Sequence, residues 1–157
     1  MPDAIFADIR IIRQASQVDD YFEVLCYYPD KRVRLHSSYL VREPLPAYII
    51  HGNKGSFIKT KSDVQETALQ AGRTPDAIEW GKEPETEQGL LHSEIDGRSS
   101  RQTVPSENGN YLGYYEGIYN AIRHGNPLPV SAEEGLDVIR IITAAFESNE
   151  KRQVIDL

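Results

Sequence analysis

Alternating apolar and polar positions divide the chain into strands first and helices last. Ala4 to Arg13 reads AIFADIRIIR, with Ile5, Ala7, Ile9 and Ile11 on one face at a period of two, which predicts a strand. Tyr21 to Tyr28 (YFEVLCYY) predicts a second. It is apolar or aromatic on both faces apart from Glu23, with Phe22, Val24, Cys26 and Tyr28 on one side and Leu25 and Tyr27 on the other. Pro29, Asp30 and Lys31 supply turn chemistry, and Arg32 to Leu40 returns as a third strand. Short loops between these strands predict an antiparallel meander. Beyond Pro44 and Pro46, Ala47 to His51 and Ser56 to Lys61 predict a hairpin turning at Gly52, Asn53, Lys54 and Gly55.

The period then changes. Asp63 to Ala71 reads as a short helix stopped by Gly72. Thr74 to Asn108 is rich in Glu, Gly, Ser and Pro. It is expected to be a long excursion with at most one small hairpin, turning at Asp96 and Gly97, and loops of this length are usually functional or mobile. Asn110 can cap a helix in which Tyr111, Tyr115, Ile118 and Ile122 form an apolar stripe ended by Gly125. Tyr111 and Tyr115 are expected in the core. After Pro127 and Pro129, Ser131 and Glu134 form a capping box that opens a second helix. Leu136, Val138, Ile139, Ile141, Ile142, Ala145 and Phe146 surround most of its circumference, so deep burial is expected. Gln153 to Leu157 closes the chain as a short strand. The predicted class is α+β: an open, mostly antiparallel (mixed) sheet with helices on one face, in a single domain over 1–157.

Composition narrows the partners. At 157 residues, 39% hydrophobic and 26% charged, the chain suits one soluble globular domain. A net charge of −7 argues against nucleic acid, which selects a basic face. The apolar runs fall short of the ~20 residues that a membrane span requires. The chain moves from Met1-Pro2-Asp3 straight into strand-like alternation, without a leader pattern, so a cytoplasmic location is expected. The single cysteine, Cys26, has no internal disulfide partner and reads as a small buried hydrophobe.

Tests for chemistry return little. HGNKGS at His51 to Ser56 superficially resembles a phosphate loop, but it joins two strands and feeds no helix N-terminus. No G-x-G-x-x-G, P-loop or G-x-S-x-G occurs, so no cofactor-binding residue is assigned. His36, His51, His92 and His124 are scattered without ligand spacing, and no metal site or catalytic residue is assigned. The carboxylates of Glu79 to Glu87 (EWGKEPETE) are expected to be solvated, although a pair of them could do acid–base work. Trp80 is either a plug anchoring its loop or a wall for a sugar ring. Asn110, at a helix start, and Tyr114, off the apolar stripe, could cap and lie exposed or could face a polar ligand. With Tyr111 they complete the substrate-pocket candidates.

From Leu40 the chain runs LVREPLPAYIIHGNKGSFIK, DVQETALQAG, an acidic loop containing WG, GNYLGYYEGIYNAIRHGNPLPVSAEEGLDVIRIITAAFES and QVIDL. This order resembles the C-terminal domain of the Gfo/Idh/MocA (glucose–fructose oxidoreductase/inositol dehydrogenase) family. Its most specific parts are the G-x-x-G-S-F hairpin and the helix pair joined by G-x-P-x-P-V-S. The resemblance implies a two-domain enzyme in which an N-terminal Rossmann domain binds NAD or NADP. It implies too that the C-terminal domain closes the pocket for a sugar or polyol and builds the oligomer, and the apolar positions on both faces of the first two strands predict a homo-oligomer contact on the open sheet face. The family's Glu-Lys-Pro has no counterpart, since Lys82-Glu83-Pro84 has another order, and its Asp-x-x-x-His before the first long strand is missing too. The chain is therefore expected to be a dehydrogenase fragment, inactive alone and binding no dinucleotide. The alternatives are a free-standing binding or assembly module of the same fold, and a hydrolase using the Glu79 to Glu87 carboxylates.

Overall fold

The computed structural model describes residues 1–61, 63–75 and 79–157. It has an α+β fold in which eight strands pair antiparallel as two four-stranded sheets, together with three α-helices. The chain divides into two compact units, one formed by Met1–Arg42 and Val130–Leu157, the other by Glu43–Pro129.

In the first unit β1 (Ala4–Arg10), β2 (Tyr21–Tyr27) and β3 (Arg32–Ser38) form the expected meander, and β8 (Ile155–Asp156) adds to the free side of β1. Helix α3 (Ala132–Lys151) starts on the Ser131–Glu134 capping box, with both of its reciprocal bonds made, and packs against β1. Ile5, Ala7, Val24, Cys26, Ala144 and Ala145 form the buried core between them. Burial pushes the Cys26 thiol up, away from reactivity. β1 stops at Arg10 rather than Arg13 because the buried Asp20 carboxylate captures the next amides, accepting from Ile12 N at 2.7 Å and Arg13 N at 3.1 Å. The Arg13 guanidinium bonded to it holds this carboxyl below the usual range.

β8 pairs with only Ala4 and Ile5. Further along the same edge α3 replaces a strand: Ser148 Oγ accepts from Ala7 N at 2.9 Å, and Asn149 Oδ1 accepts from Ile9 N at 2.9 Å. The fully buried Ser148 hydroxyl also donates to the Gln153 carbonyl at 2.6 Å. Two side chains thus close an edge that would otherwise invite pairing.

The sheet face opposite the core is mixed. A row of Phe6, Leu25 and Arg34 adjoins a row of Asp8, Glu23 and His36, and ion pairs join Asp8 to Arg10 and Arg152 and Glu23 to Arg34.

In the second unit β4 (Tyr48–Gly52) and β5 (Gly55–Lys59) form the expected hairpin, and α1 (Val64–Gln70) the short helix. From Gly89 onward the excursion is more ordered than expected. It contains β6 (Gly89–Ile95) and β7 (Arg98–Val104), full seven-residue strands that extend the hairpin to the order β4-β5-β6-β7. The turn does fall at Asp96 and Gly97, both at positive φ (52° and 72°) as a two-residue type I′ turn needs. β7 reads RSSRQTV and is exposed except at Val104, so no apolar alternation marks it.

Helix α2 (Leu112–His124) ends on Gly125 at φ 68° as expected, but none of its residues is buried. Tyr115 is 67% and Ile122 77% exposed, so the stripe that predicted a core position lies open. The same correction applies to α3, where Ala144, Ala145 and Ser148 are buried while Leu136, Val138, Ile139, Ile142 and Phe146 are exposed. The sheet meets one side of this helix, and the apolar pattern extends beyond that side.

Ser148→Ala should destabilise the first unit by about 1–3 kcal/mol, the cost of leaving a buried N–H without an acceptor. Urea unfolding measures the loss, and amide exchange should accelerate at Ala7. An unchanged midpoint would contradict the role assigned to the hydroxyl.

Candidate functional site

The candidate site lies in the second unit and begins at the start of α1. Asp63 is the N-cap: Oδ1 accepts from Gln65 N at 3.0 Å, and Oδ2 accepts from the Tyr111 hydroxyl. These bonds, that from Tyr111 first, hold the Asp63 carboxyl below its usual range, and the Tyr111 hydroxyl is pushed up in turn.

Two residues into the helix, the Gln65 side chain turns inward and is 3% exposed. Its Oε1 accepts from Trp80 Nε1 at 3.1 Å and from Tyr111 N at 2.9 Å. One carboxamide oxygen thereby joins the first turn of α1, the tryptophan turn and the start of α2. The backbone is shaped around it. A Cβ at Gly109 would sit 2.4 Å from Gln65 Nε2, and one at Gly81, already at φ +73°, would meet the Gly109 carbonyl. Gly109 N donates to the Gly81 carbonyl at 3.0 Å and closes the knot.

On this knot lies a shallow cleft of about 360 Å³, lined by Pro75, Trp80, Asn108, Gly109, Asn110, Leu112 and Glu116. Its polar groups are two carboxamides and a carboxylate, set beside an indole and a leucine. Such a set donates to and accepts from hydroxyls, and no cation to select an anion is present among these lining residues.

The predicted pocket residues separate on inspection. Trp80 is buried and hydrogen-bonded, as a plug would be, and it also contributes to the cleft wall. The N-cap of α2 is Tyr111 and not Asn110 as expected, though Asn110 Oδ1 accepts from Gly113 N at 3.3 Å and the residue lines the cleft. Tyr111 is tied to Asp63 and Gln65 and supports the site from behind. Tyr114 is exposed, stands edge-on to Tyr115 with ring centroids 5.5 Å apart, and does not line the cleft. Gln65, Asn108 and Glu116 were not anticipated. A glutamine on a short polar helix carries no pattern that separates it from a surface residue.

The acidic loop is also corrected. Glu83 is not solvated: its side chain is 9% exposed and pairs with Lys59, itself 12% exposed. Glu83 Oε1 accepts from Ser106 N at 3.0 Å, and Glu87 accepts from Thr60 Oγ1. These bonds fasten the loop to β5 and to the segment leading into the cleft.

The sequence model described as "Oxidoreductase family, C-terminal alpha/beta domain" matches residues 6–157. Among characterised relatives, scyllo-inositol 2-dehydrogenase (NADP(+)) IolW of Bacillus subtilis is 41% identical over the whole chain, which covers 44% of that protein. The uncharacterized oxidoreductase YhhX of Escherichia coli is 37% identical over 93% of the chain, covering 42% of its length. The chain thus spans less than half the length of the curated relatives it matches. In solved structures, yvaA from Bacillus subtilis superposes with a TM-score of 0.97 at 41% identity over 100% of this chain and 45% of its own. An oxidoreductase from Bacillus cereus superposes at 0.89 and 29% identity over 99% of this chain and 46% of its own.

The buried Lys59–Glu83 pair gives a pH prediction. The Lys59 ammonium, aided by Ser106 N–H, holds the Glu83 carboxyl below its usual range. Its stabilisation is therefore complete above the unfolded carboxyl pKa of about 4.3 and is lost as pH falls through the lower folded value. Glu83→Gln should cost about 3 kcal/mol near neutral pH, because it leaves a desolvated ammonium unpaired. The gap from wild type in denaturant unfolding should narrow below about pH 4. A gap of constant size from neutral pH to pH 3 would refute the assignment.

Proposed function

The chain belongs to the C-terminal alpha/beta domain family of the Gfo/Idh/MocA oxidoreductases, and from that premise we propose that it is the substrate-side domain of an NAD(P)-dependent oxidoreductase. The reaction is reversible hydride transfer between a sugar or polyol carbinol and the nicotinamide. The observation that carries this reading is the chemistry of the Trp80 cleft, where Asn108, Asn110 and Glu116 offer neutral donors and acceptors with a carboxylate beside an indole. The inositol substrate in the name of the Bacillus subtilis relative is of the same chemical class.

The dinucleotide does not fit the residues of this chain. Its phosphates need a glycine-rich turn feeding a helix N-terminus, whereas the Gly52 to Gly55 turn closes a β-hairpin. Helices α1 and α3 begin on Asp63 and Ser131 caps, and at the start of α2 the Asn110 carboxamide takes Gly113 N. The part of this chain in the reaction is to bind and orient the polyol and to exclude water, while a Rossmann domain would carry the cofactor.

We further propose that a second copy of the chain pairs through the sheet face opposite α3. Phe6 and Leu25 supply its apolar centre, and the charged rows around them supply register. Static light scattering should then give at least twice the 17.8 kDa chain mass at micromolar concentration. A monomer would refute this interface and leave the cleft untouched.

The functional reading is tested by placing this chain behind the Rossmann domain of the Bacillus subtilis relative, in place of that enzyme's own C-terminal part. The expected product oxidises an inositol with NADP, and Trp80→Ala raises KM far more than it lowers kcat. A folded chimera that binds NADPH yet turns over no polyol or sugar would overturn the proposal. The chain alone should give a flat calorimetric titration with either dinucleotide.

A further inference from the structure

We propose that Gln65, which touches no ligand itself, is the positioning residue of the cleft. Its carboxamide oxygen sets the Trp80 indole and the Asn108 to Asn110 backbone at the separation a polyhydroxylated ring requires. This rests on the reading of the cleft as a polyol site.

The argument is one of geometry. Gln65 is one of only three buried polar residues identified among those described. Its Oε1 accepts one bond from each of the two walls: Trp80 Nε1 at 3.1 Å belongs to the tryptophan turn, and Tyr111 N at 2.9 Å belongs to the segment that carries Asn110. A single atom therefore fixes the width of the cleft on this side. The absence of a Cβ at Gly109 lets the amide reach that position, since a methyl group there would stand 2.4 Å from Nε2. A helix whose one buried residue is Gln65 could be anchored more simply by an apolar side chain there. An amide that accepts from both walls of one cleft instead acts on the distance between them. It accepts two bonds of ordinary length, 3.1 and 2.9 Å, at a helix start capped by Asp63, and a supporting residue held by several bonds keeps a site to within a fraction of an ångström.

The chain has a single tryptophan, so Trp80 emission reports on the site directly. Wild type and Gln65→Met, which keeps the volume and removes the acceptor, are compared with Gln65→Glu, which keeps an oxygen. Each is checked for folding by circular dichroism and titrated with scyllo-inositol. The expected result is a saturable emission change in wild type. It should weaken on the order of tenfold or more in folded Gln65→Met, as expected when a buried donor loses its acceptor, and recover in Gln65→Glu. Should Gln65→Met fail to fold, Gln65→Asn withdraws the amide by one methylene and should show the same loss. Equal inositol responses in wild type and a folded Gln65→Met or Gln65→Asn would overturn the positioning role while leaving the polyol reading intact. No saturable response in wild type, with the indole still shielded from acrylamide, would overturn the polyol reading and this inference with it.

Discussion

A backbone N–H that folding buries must find an acceptor, and where no ladder strand or helix supplies one a side chain has to. Three buried polar residues meet this demand, and each does so at a junction between elements. Asp20 accepts from Ile12 and Arg13 where β1 ends, Gln65 accepts from Tyr111 where α2 begins, and Ser148 accepts from Ala7 where β8 has run out. Removing Ser148 would leave the buried Ala7 donor with nothing to bond, and removing Asp20 or Gln65 would free partly buried donors at Ile12, Arg13 and Tyr111. The strand end, the helix start and the sheet edge are therefore set by side chains as firmly as by backbone pairing.

The same constraint explains why the cleft is built as it is. An amide buried beside Trp80 needs both of its functional ends accommodated, and the chain meets that need with close backbone approach. Gly109 leaves room for the amide nitrogen, and Gly81 adopts the left-handed conformation that lets its carbonyl receive Gly109 N. The Lys59–Glu83 pair then fixes the far side of the loop, with Glu83 also taking Ser106 N. A segment whose composition suggests a solvated tether is held at three separate points, and the residues lining the cleft inherit that rigidity.

Much of this was legible in the sequence wherever a local rule decides the outcome. Alternation marked β1 and β3, an apolar and aromatic run marked β2, the Ser131–Glu134 box marked the start of α3, and Gly125 marked the end of α2. Asp96-Gly97 marked the hairpin turn, although the small hairpin expected there is a pair of seven-residue strands that extend the sheet. Legibility failed where the deciding partner is distant in sequence. β7 is an exposed edge whose polar residues show no alternation, so only its pairing with β6 defines it. Gln65 is distinguished from any other helix glutamine only by two partners 15 and 46 positions away. The apolar stripes of α2 and α3 misled in the opposite sense. Periodicity correctly gave the helices, but it records which positions favour burial and not which are buried in this chain.

Electrostatics bears on what such a domain can do. Among the described residues, each group whose acidity the fold shifts is moved away from neutrality. Asp8, Asp20, Asp30, Asp63, Glu83 and Glu134 become stronger acids through bonds to cations, hydroxyls or backbone N–H groups. Lys82 and Lys151 become weaker acids beside carboxylates, and the tyrosines Tyr21 and Tyr111 and the thiol of Cys26 are pushed up as well. General acid–base catalysis asks for the reverse, a group brought toward the working pH by burial or by a like charge. These shifts are those of groups engaged in holding a structure together. A domain that fixes its cleft through an amide keeps its walls in place by hydrogen bonds, and its shifted charges are committed to pairing.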